Sequence, residues 1–321
     1  MSLYLITGVA GFIGSNLAHE LLRRGERVRG FDNFETSKRH NLADIEAQID
    51  FRELDLLDAR GVAEACAGVD YVLHQAAIPS VSRSVVDPVS SHRANVDGTL
   101  NLLMGARAAK VKRVVYAASS SAYGNTPTLP KHEGMVPDPI SPYAVQKLTG
   151  ELYLSSFYHV YGLETVSLRY FNIFGPRQDP TSEYSGVLAR FTAQMLAGRP
   201  CTIFGDGEQS RDFTYIDNAV NANLLTCKAP VEKVCGHVFN VATGTRFSLN
   251  ETFRLLAGII GYDGKPQYAA ARAGDVKHSL ADTSRAREAM RYQATVGFEE
   301  GLRRTVEWYK KALVPQAGVL R

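Results

Sequence analysis

The chain has 321 residues, of which 45% are apolar and 21% are charged, with a formal net charge of +3; these values are typical of an ordinary globular protein with one large or two modest domains. Because the charge is small and the basic residues are scattered, we expect no nucleic-acid partner. No apolar run approaches the roughly 18 to 20 residues that a membrane span requires, so we expect a cytoplasmic protein without a membrane partner.

Short apolar runs alternate with longer helical patterns through the first half of the chain. The predicted strands are Leu3–Thr7, Arg27–Asp32, Asp50–Leu54, Tyr71–His74, Arg113–Ala117 and Thr165–Arg169. The predicted helices between them lie near Ile13–Arg24, Arg60–Ala67, His92–Ala108 and Tyr143–Tyr161. This βαβ alternation predicts an α/β fold with a doubly wound parallel sheet.

The pattern of predicted elements changes after Gly175, where loops rich in Pro, Gly and Asp separate isolated helices. These helices are predicted near Gly186–Ala197, Asp217–Thr226, Leu249–Ile260 and Glu299–Lys311. We predict one domain at residues 1–174, to which some later segments return, and a smaller C-terminal α/β domain, mainly 175–321, that supplies a substrate pocket. No repeat or linker separates the two parts, so they should pack closely.

A glycine-rich segment follows the first predicted strand and opens the first predicted helix. Gly8, Gly11 and Gly14 have the spacing of a dinucleotide fingerprint. Glycines at these positions permit a tight turn and place a pyrophosphate at the positive end of the helix. The segment predicts a Rossmann-type domain at 1–174.

An acidic residue ends the second predicted strand. Asp32 follows Gly14 by 18 residues, where a carboxylate can accept hydrogen bonds from the adenosine ribose hydroxyls. A carboxylate repels a 2′-phosphate, so NAD is favoured over NADP, although Lys38 and Arg39 nearby temper that preference. Asp55, after the third strand, is equally well interpreted as a contact to the adenine amino group or as an ordinary loop acid.

A tyrosine and a lysine lie four residues apart at the start of one predicted helix, which Ser141 caps and Pro142 opens. Residues at this spacing share a face, so Tyr143 and Lys147 can converge on one bound molecule. An ammonium beside a phenol lowers the pKa of the phenol, and this makes it a usable base near neutral pH.

The four cysteines have no paired spacing and the eight histidines are dispersed along the chain. We therefore predict no metal site, and interpret the cysteines as buried thiols.

The ordered series of motifs resembles the extended short-chain dehydrogenase/reductase superfamily, and within it the nucleotide-sugar 4-epimerases. The nearest group is the bacterial UDP-N-acetylglucosamine 4-epimerases, and the resemblance covers nearly the whole chain. The motifs that carry it are Thr7–Gly14, His74–Ala77, Ser119–Gly124, Ser141–Tyr143 with Lys147, Arg169–Asn172, Gly175–Arg177, Gly205–Gly207, Ser210–Phe213, Gly274–Asp275 and Ala281–Asp282. Gln75 departs from the family, whose members often carry an aliphatic or another polar residue there.

The resemblance implies a catalytic role for Ser119, Tyr143 and Lys147. Tyr143, as phenolate, would remove the proton from the sugar 4-hydroxyl while C4 delivers a hydride to NAD. The transient 4-keto sugar would then turn over in the pocket and take the hydride back on its opposite face. Ser119 would hold the 4-oxygen, with Ser121 as a weaker candidate, and Lys147 would bind the nicotinamide ribose and keep the pKa of Tyr143 low.

The resemblance also assigns binding residues. Those implied to bind the cofactor NAD are Gly8, Gly11, Phe12, Ile13, Gly14, Asp32, Asn33, Asp55, Leu56, Gln75, Ala76, Ala77, Tyr143, Lys147 and Tyr170. Those implied to bind the UDP-sugar substrate are Ser80, Ser119, Ser121, Tyr143, Asn172, Val187, Phe204, Arg211, Arg272 and Ser279. The two arginines would neutralise the diphosphate.

Ser279 aligns with a position that is bulky, often tyrosine, in epimerases restricted to unacetylated sugars. A small side chain leaves room beside C2 for an N-acetyl group. We therefore expect UDP-GlcNAc and UDP-GalNAc to be preferred over UDP-Glc and UDP-Gal, in a pathway of polysaccharide biosynthesis. A homodimer through the helices near His92–Ala108 and Tyr143–Tyr161 is expected by analogy.

Three other functions stay open. UDP-glucuronate 4-epimerase is the main alternative, because Arg83 or Lys277 could meet a carboxylate. A dehydratase or decarboxylase is less favoured, because Ser120 and Ser121 follow Ser119 where those enzymes carry an acid. A non-catalytic NAD-binding regulator is disfavoured because such proteins often lose the tyrosine or the lysine.

Overall fold

The computed structural model describes residues 1–181, 186–270 and 277–313. Strands and helices alternate along its first half. The elements up to the fourth strand are β1 (Leu3–Thr7), α1 (Phe12–Arg23), β2 (Arg27–Asp32), β3 (Asp50–Glu53), α2 (Ala59–Cys66) and β4 (Tyr71–His74). They are followed by α3 (Val81–Val86), α4 (Pro88–His92), a π-helical segment (Arg93–Asp97), α5 (Gly98–Ala108), β5 (Arg113–Ser119), α6 (Pro142–Tyr161) and β6 (Glu164–Tyr170).

Shorter strands and separate helices make up the second half. In chain order they are β7 (Ile173–Phe174), α7 (Val187–Leu196), β8 (Thr202–Phe204), β9 (Ser210–Arg211), β10 (Thr214–Tyr215), α8 (Ile216–Lys228), α9 (Val231–Val234), β11 (Val238–Val241), β12 (Phe247–Ser248), α10 (Leu249–Ile260), β13 (Gln267–Ala269), α11 (Ser284–Met290) and α12 (Phe298–Leu313). Pairs β7–β10, β9–β12 and β8–β13 form three two-stranded sheets beside the main one.

Seven parallel strands form the main sheet in the order β11-β6-β5-β4-β1-β2-β3. The chain runs outward from β1 to β3, then crosses over and runs outward in the other direction from β4. The strand order reverses between β1 and β4, and ligands of such sheets bind in the crevice at the carboxyl ends of the strands at that point. The predicted α/β class with a Rossmann-type, doubly wound parallel sheet is confirmed.

Apolar side chains of successive strand residues point to opposite faces of the sheet, as the period of a strand requires. Tyr4 and Ile6 of β1 join a core with α1 and α8, whereas Leu5 joins a second core with α2, α5 and α6. Both faces of the sheet are therefore covered, and its carboxyl edge is left for the loops that carry polar side chains.

The helix that carries Tyr143 has clear boundaries. Ser141 Oγ accepts a hydrogen bond from Ala144 N at 3.2 Å, and Pro142 occupies the first helical position, as predicted. Gly162, at φ +68°, ends the helix in the left-handed conformation that glycine adopts readily. These caps fix the register of α6.

Several elements differ from the sequence prediction, and the short strands β7–β10, β12 and β13 and the helices α9 and α11 are among the additional ones. The strand β11 and the helix α3 are additional, and the predicted helix His92–Ala108 is divided into α4, the π-helical segment and α5. β11 completes the sheet beside β6, and α8 packs on α1, although both follow residue 175. The division of the chain at residue 175 stays a prediction.

Within the described ranges, no helix is both long and apolar enough to cross a membrane. The same residues hold no cluster of three or more His, Cys, Asp or Glu side chains arranged for a metal ion.

Candidate active site

The glycine-rich loop between β1 and α1 needs glycine at two positions. Gly8 has φ +68°, and a Cβ there would come within 2.8 Å of Ala76 Cα. A Cβ at Gly14 would overlap the carbonyl oxygen of Gly8. The loop therefore turns tightly and exposes its backbone at the N-terminus of α1, the geometry that accommodates a pyrophosphate.

Asp32, at the end of β2, is 6% exposed and organises the loop that follows it. One carboxylate oxygen accepts Ala10 N at 3.0 Å; the other accepts Phe34 N at 2.9 Å and Ser37 Oγ at 2.7 Å. A carboxylate has about four acceptor positions, so one is left for a ribose hydroxyl. Asn33 Nδ2 donates to the predicted adenine contact Asp55 at 2.8 Å.

A cavity of about 760 Å³ follows the carboxyl ends of β1 to β6. All the residues that the resemblance implies for NAD line it: Gly8, Gly11, Phe12, Ile13, Gly14, Asp32, Asn33, Asp55, Leu56, Gln75, Ala76, Ala77, Tyr143, Lys147 and Tyr170. The substrate candidates Ser80, Ser119 and Asn172 line the same cavity. The structure therefore brings the nucleotide cleft and the catalytic candidates into one space, and the residues present fit NAD.

Gln75, where this chain departs from the family, is held in place by a polar triangle. Tyr170 Oη donates to Gln75 Oε1 at 3.3 Å and accepts Asn223 Nδ2 at 2.7 Å. Gln75 Nε2 in turn donates to Asn223 Oδ1 at 3.3 Å. The triangle fixes both cofactor candidates, Gln75 and Tyr170, at the wall of the cleft.

Three side chains from β5 and α6 converge at the inner end of the cavity. Ser119 ends β5, and the buried Lys147 donates from Nζ to Ala117 O at 2.9 Å. Ser119 lines the cavity, whereas Ser121 does not. Ser121 Oγ donates a hydrogen bond to Ser119 Oγ at 2.9 Å and so helps to orient the Ser119 hydroxyl. The half-buried Tyr143 donates from its backbone N to Ser84 Oγ at 3.0 Å, which fixes the first turn of α6.

The expected fall in the pKa of Tyr143 is not found in this structure. Burial raises the pKa of Tyr143 because it disfavours the phenolate, and the hydrogen bond from Ser119 offsets only part of that rise. Burial also lowers the pKa of Lys147, to about 7, against an opposing effect of Glu151. The spacing in the sequence predicts that Lys147 and Tyr143 share a helix face. It does not reveal how strongly both side chains are desolvated, and desolvation has the largest effect on both pKa values.

A buried histidine links β4 to the cleft, and sequence reasoning missed its partners. Thr99 Oγ1 donates its one proton to Asn95 O at 2.7 Å, so in its contact with His74 Nε2 at 2.9 Å it must be the acceptor. The ring therefore carries its proton on Nε2, and His74 Nδ1 accepts a hydrogen bond from Thr7 Oγ1 at 2.7 Å. Burial lowers the pKa of His74 to about 3, so the ring is neutral. Thr7 Oγ1 also accepts Ala76 N at 3.1 Å and thereby fixes the cleft wall. The His74–Ala77 motif points to this position in the sequence. The hydrogen-bond partners of His74 could not be predicted, because Thr7 and Thr99 are distant from it in the chain.

A second cavity of about 230 Å³ shares Asn172, Ile173 and Gln178 with the first. Three substrate candidates line it: Val187, Phe204 and Arg211. Arg190 and Gln209 also line it and were missed, since neither belongs to a motif. The two cavities thus adjoin at Asn172.

Ser279 lies against that junction. Its Oγ accepts Asn172 Nδ2 at 3.2 Å and Asp212 N at 3.3 Å. Asp212 is fully buried, and its carboxylate accepts the backbone N atoms of Thr243 and Gly244 at 3.0 Å each. Burial raises the pKa of Asp212, and these hydrogen bonds oppose the rise. The substrate candidate Arg272 and the motif Gly274–Asp275 lie outside the described residues.

Comparison with known proteins agrees with this geometry. The family described as "NAD dependent epimerase/dehydratase family" matches residues 4–242. A UDP-glucose 4-epimerase of Mycolicibacterium smegmatis is 39% identical over 311 residues, which cover 95% of this chain and 98% of that protein. A UDP-glucuronate 4-epimerase of Thermodesulfobacterium geofontis is 34% identical over 323 residues, which cover 97% of both chains.

A solved structure is also similar over nearly the whole length. The UDP-N-acetylglucosamine 4-epimerase of Methanobrevibacter ruminantium, in complex with UDP-N-acetylmuramic acid, has a TM-score of 0.92 and 37% identity, covering 97% of this chain and 99% of that chain. These relatives confirm the resemblance, and the family description confirms NAD as the cofactor. The chain belongs to the NAD-dependent epimerase/dehydratase family.

Proposed function

We propose that this protein is an NAD-dependent UDP-sugar 4-epimerase that interconverts UDP-GlcNAc and UDP-GalNAc in preference to UDP-Glc and UDP-Gal. The observation that carries the proposal is the convergence of Ser119, Tyr143 and Lys147 in the nucleotide cleft, next to a second cavity that reaches Arg211. One cavity fits a dinucleotide, and the other lies where a second nucleotide can bring its sugar to Tyr143.

NAD would lie along the glycine-rich loop, Asp32 and the wall formed by Gln75–Ala77. When bound, it supplies an oxidised nicotinamide that accepts a hydride from C4 of the sugar and returns it to the opposite face. The chain itself must bind the UDP firmly, hold the sugar loosely enough to turn over, and move one proton.

Tyr143 is the group that moves the proton of the sugar 4-hydroxyl. Ser119 stabilises its phenolate by hydrogen bonding, since that bond lowers the pKa of Tyr143 against the effect of burial. Lys147 adds a positive charge on the same helix face. Ser121 keeps the Ser119 hydroxyl oriented by donating to it.

The substrate preference rests on the size of Ser279. Its hydroxyl already accepts hydrogen bonds from Asn172 and Asp212, which draw the small side chain against the wall of the junction. A side chain this small would admit an N-acetyl group beside C2 by steric access rather than through a new attraction. The relatives described above are 4-epimerases of UDP-glucose, UDP-glucuronate and UDP-N-acetylglucosamine, so an experiment must compare these three substrates directly.

UDP-glucuronate 4-epimerase remains the second candidate because a relative at 34% identity bears that name. The structure gives it less support. Arg83, a predicted partner for the uronate carboxylate, forms an ion pair with Glu35 across the mouth of the cavity. Ser120 and Ser121 after Ser119 disfavour the dehydratase and decarboxylase functions, whose enzymes usually carry an acidic residue in that stretch.

The deciding experiment incubates the purified protein, without added NAD, separately with UDP-GlcNAc, UDP-Glc and UDP-glucuronate. Proton NMR follows the configuration at C4. We expect fast conversion of UDP-GlcNAc, slower conversion of UDP-Glc and none of UDP-glucuronate. Conversion of UDP-glucuronate alone would overturn the substrate assignment, and conversion of none would overturn the proposed activity.

We also propose that the protein is a homodimer. Four large apolar or aromatic side chains on α6 are exposed: Val145 (48%), Leu152 (64%), Val160 (66%) and Tyr161 (47%). A second copy is the occupant expected by analogy for this face, and sedimentation analysis of the wild type and of Leu152→Glu tests it. A cytoplasmic location and a role in polysaccharide biosynthesis stay predictions from the sequence.

A further inference from the structure

A buried carboxylate lies one helical turn beyond Lys147 on α6. Glu151 is 4% exposed and follows Lys147 by four residues, so the two side chains share a helix face. No step of the proposed reaction uses Glu151. An ionised carboxylate is nevertheless costly to bury without a partner, so its presence at this position needs a reason.

Arg169 of β6 is one partner of Glu151. Arg169 Nε donates to Oε1 at 2.9 Å and Nη2 donates to Oε2 at 2.7 Å, which is the two-pronged geometry of a strong charged pair. The guanidinium also lies 4.6 Å from the ring centroid of Tyr123. Burial raises the pKa of Glu151, but Arg169 and Lys147 both oppose that rise. Such a two-pronged pair favours the ionised form of the carboxylate against the effect of burial.

Lys147 itself has no carboxylate within ion-pair distance in the described part of the chain. Its Nζ donates to Ala117 O and lies 4.8 Å from the ring centroid of Tyr116 on β5. Tyr143 precedes it by one turn on the same helix, and the neutral His74 on β4 is a titratable group whose pKa the Lys147 charge lowers. The negative charge that acts on its ammonium is that of Glu151.

We propose that Glu151 is a positioning residue for the proposed epimerisation, because its carboxylate, clamped by Arg169, keeps Lys147 in the ammonium form inside the cleft. The inference rests on the proposed function, in which Lys147 must be charged in order to favour the phenolate of Tyr143. Burial brings the pKa of Lys147 down to about 7, and Glu151 limits the fall. Without Glu151 the pKa of Lys147 falls further, so less of the side chain is in the ammonium form at neutral pH.

The test replaces Glu151 by the isosteric glutamine and follows Lys147 directly. Full-length protein as purified, labelled at the lysine ¹³Cε, is titrated by NMR, and the Lys147 signal is assigned by its loss in Lys147→Arg. We expect Glu151→Gln to lower the titration midpoint of Lys147 by about one pH unit or more, because one nearby buried charge is lost. The alkaline limb of kcat with UDP-GlcNAc moves to lower pH by the same amount.

The matched control is a second Glu–Arg pair, which joins β5 to β6. Arg113 of β5 donates from Nε to Glu164 Oε2 of β6 at 2.8 Å, at the amino ends of the strands and away from the cleft. Glu164→Gln removes a comparable ion pair and leaves the Lys147 midpoint and the pH profile unchanged. If both variants merely lose stability and Lys147 titrates in each as in the wild type, Glu151 is structural and the proposal is overturned.

A second variant covers the case in which Glu151→Gln does not fold, since it leaves Arg169 buried without its partner. The double variant Glu151→Gln/Arg169→Gln removes both charges. The Lys147 midpoint is expected to fall in the same direction by a smaller amount, because Glu151 acts on Lys147 and loss of the Arg169 charge offsets part of its removal. An unchanged midpoint in this variant also overturns the proposal. The NMR titration requires no turnover, so failure of the proposed function appears separately, as wild-type protein that converts no UDP-sugar.

Discussion

The buried lysine of the active site should make the stability of the protein depend on pH. The pKa of Lys147 falls from 10.5 to about 7 on folding, because burial disfavours its charge. Between these values the unfolded chain binds a proton that the folded chain does not, so the free energy of unfolding rises with pH through this window. From pH 7 to pH 9 this one group accounts for a gain of about 2 kcal/mol, at 1.36 kcal/mol for each full pKa unit.

The perturbation that isolates this effect is Lys147→Met, which keeps the aliphatic stem and removes the titrating group. Urea unfolding of wild type and variant, both freed of bound nucleotide, is measured at pH 7, 8 and 9. The difference in free energy of unfolding, wild type minus variant, should increase by about 2 kcal/mol over this range. The exposed Lys112→Met is the control and should leave the pH dependence unchanged. Parallel wild-type and Lys147→Met curves would mean that the lysine is not desolvated as the structure places it.

Three further variants test the site. Tyr143→Phe should lower kcat by about 10² to 10⁴, because the base is lost, while isothermal titration still detects UDP binding; near-full activity would show that another group moves the proton. Ser279→Tyr should reduce kcat/KM for UDP-GlcNAc much more than for UDP-Glc by filling the space beside C2, and an equal loss for both sugars would refute the steric role. Gly14→Ala should abolish copurification of NAD, measured by absorbance after denaturation, because the new Cβ meets the carbonyl oxygen of Gly8. The control Gly258→Ala, at a position with open space around it, should retain NAD. Retention of NAD in both variants would contradict the close approach of the backbone at Gly14.

Local patterns were sufficient to predict most of the sheet. The boundaries of β1, β2 and β4 were predicted to the residue: β1 and β4 are short, largely apolar runs, and β2 ends at the acidic residue Asp32. The strand β11 was missed because it has four residues and its one partner, β6, is about 70 residues earlier. Long-range pairing of this kind leaves no local signal.

The helical segment from His92 to Ala108 shows how tertiary contacts override a regular helical pattern in the sequence. The sequence predicts one helix from His92 to Ala108, yet residues 93–97 are π-helical. The buried Asn95 lies in that segment and accepts Ile78 N at 2.8 Å while donating to Gln146 Oε1 at 2.8 Å. A polar residue that must satisfy two distant partners is found at such a bulge more readily than in a regular helix.

The catalytic candidates were identifiable from their types and spacing, but the electrostatics were not. Four-residue spacing places Tyr143 and Lys147 on one face whatever the surroundings. The sign of a pKa shift depends on desolvation, and desolvation depends on the packing of β5 and α6 around the two groups. The sequence also contains Glu151 at the next turn, but only the structure shows that it pairs with Arg169 in the protein interior.

The proposed reaction needs a nucleotide held firmly and a sugar held loosely, and the two cavities divide these tasks. Aromatic and aliphatic side chains and Arg211 line the smaller cavity, which suits the binding of a planar base and a diphosphate. The junction between the cavities instead presents Asn172 and Ser279, which are already hydrogen-bonded to each other and to the backbone of residue 212. Polar groups that satisfy one another offer a sugar few fixed contacts, so the ring can turn over between two orientations of similar energy. This arrangement suits an epimerase better than an enzyme that must hold its sugar in one orientation for elimination.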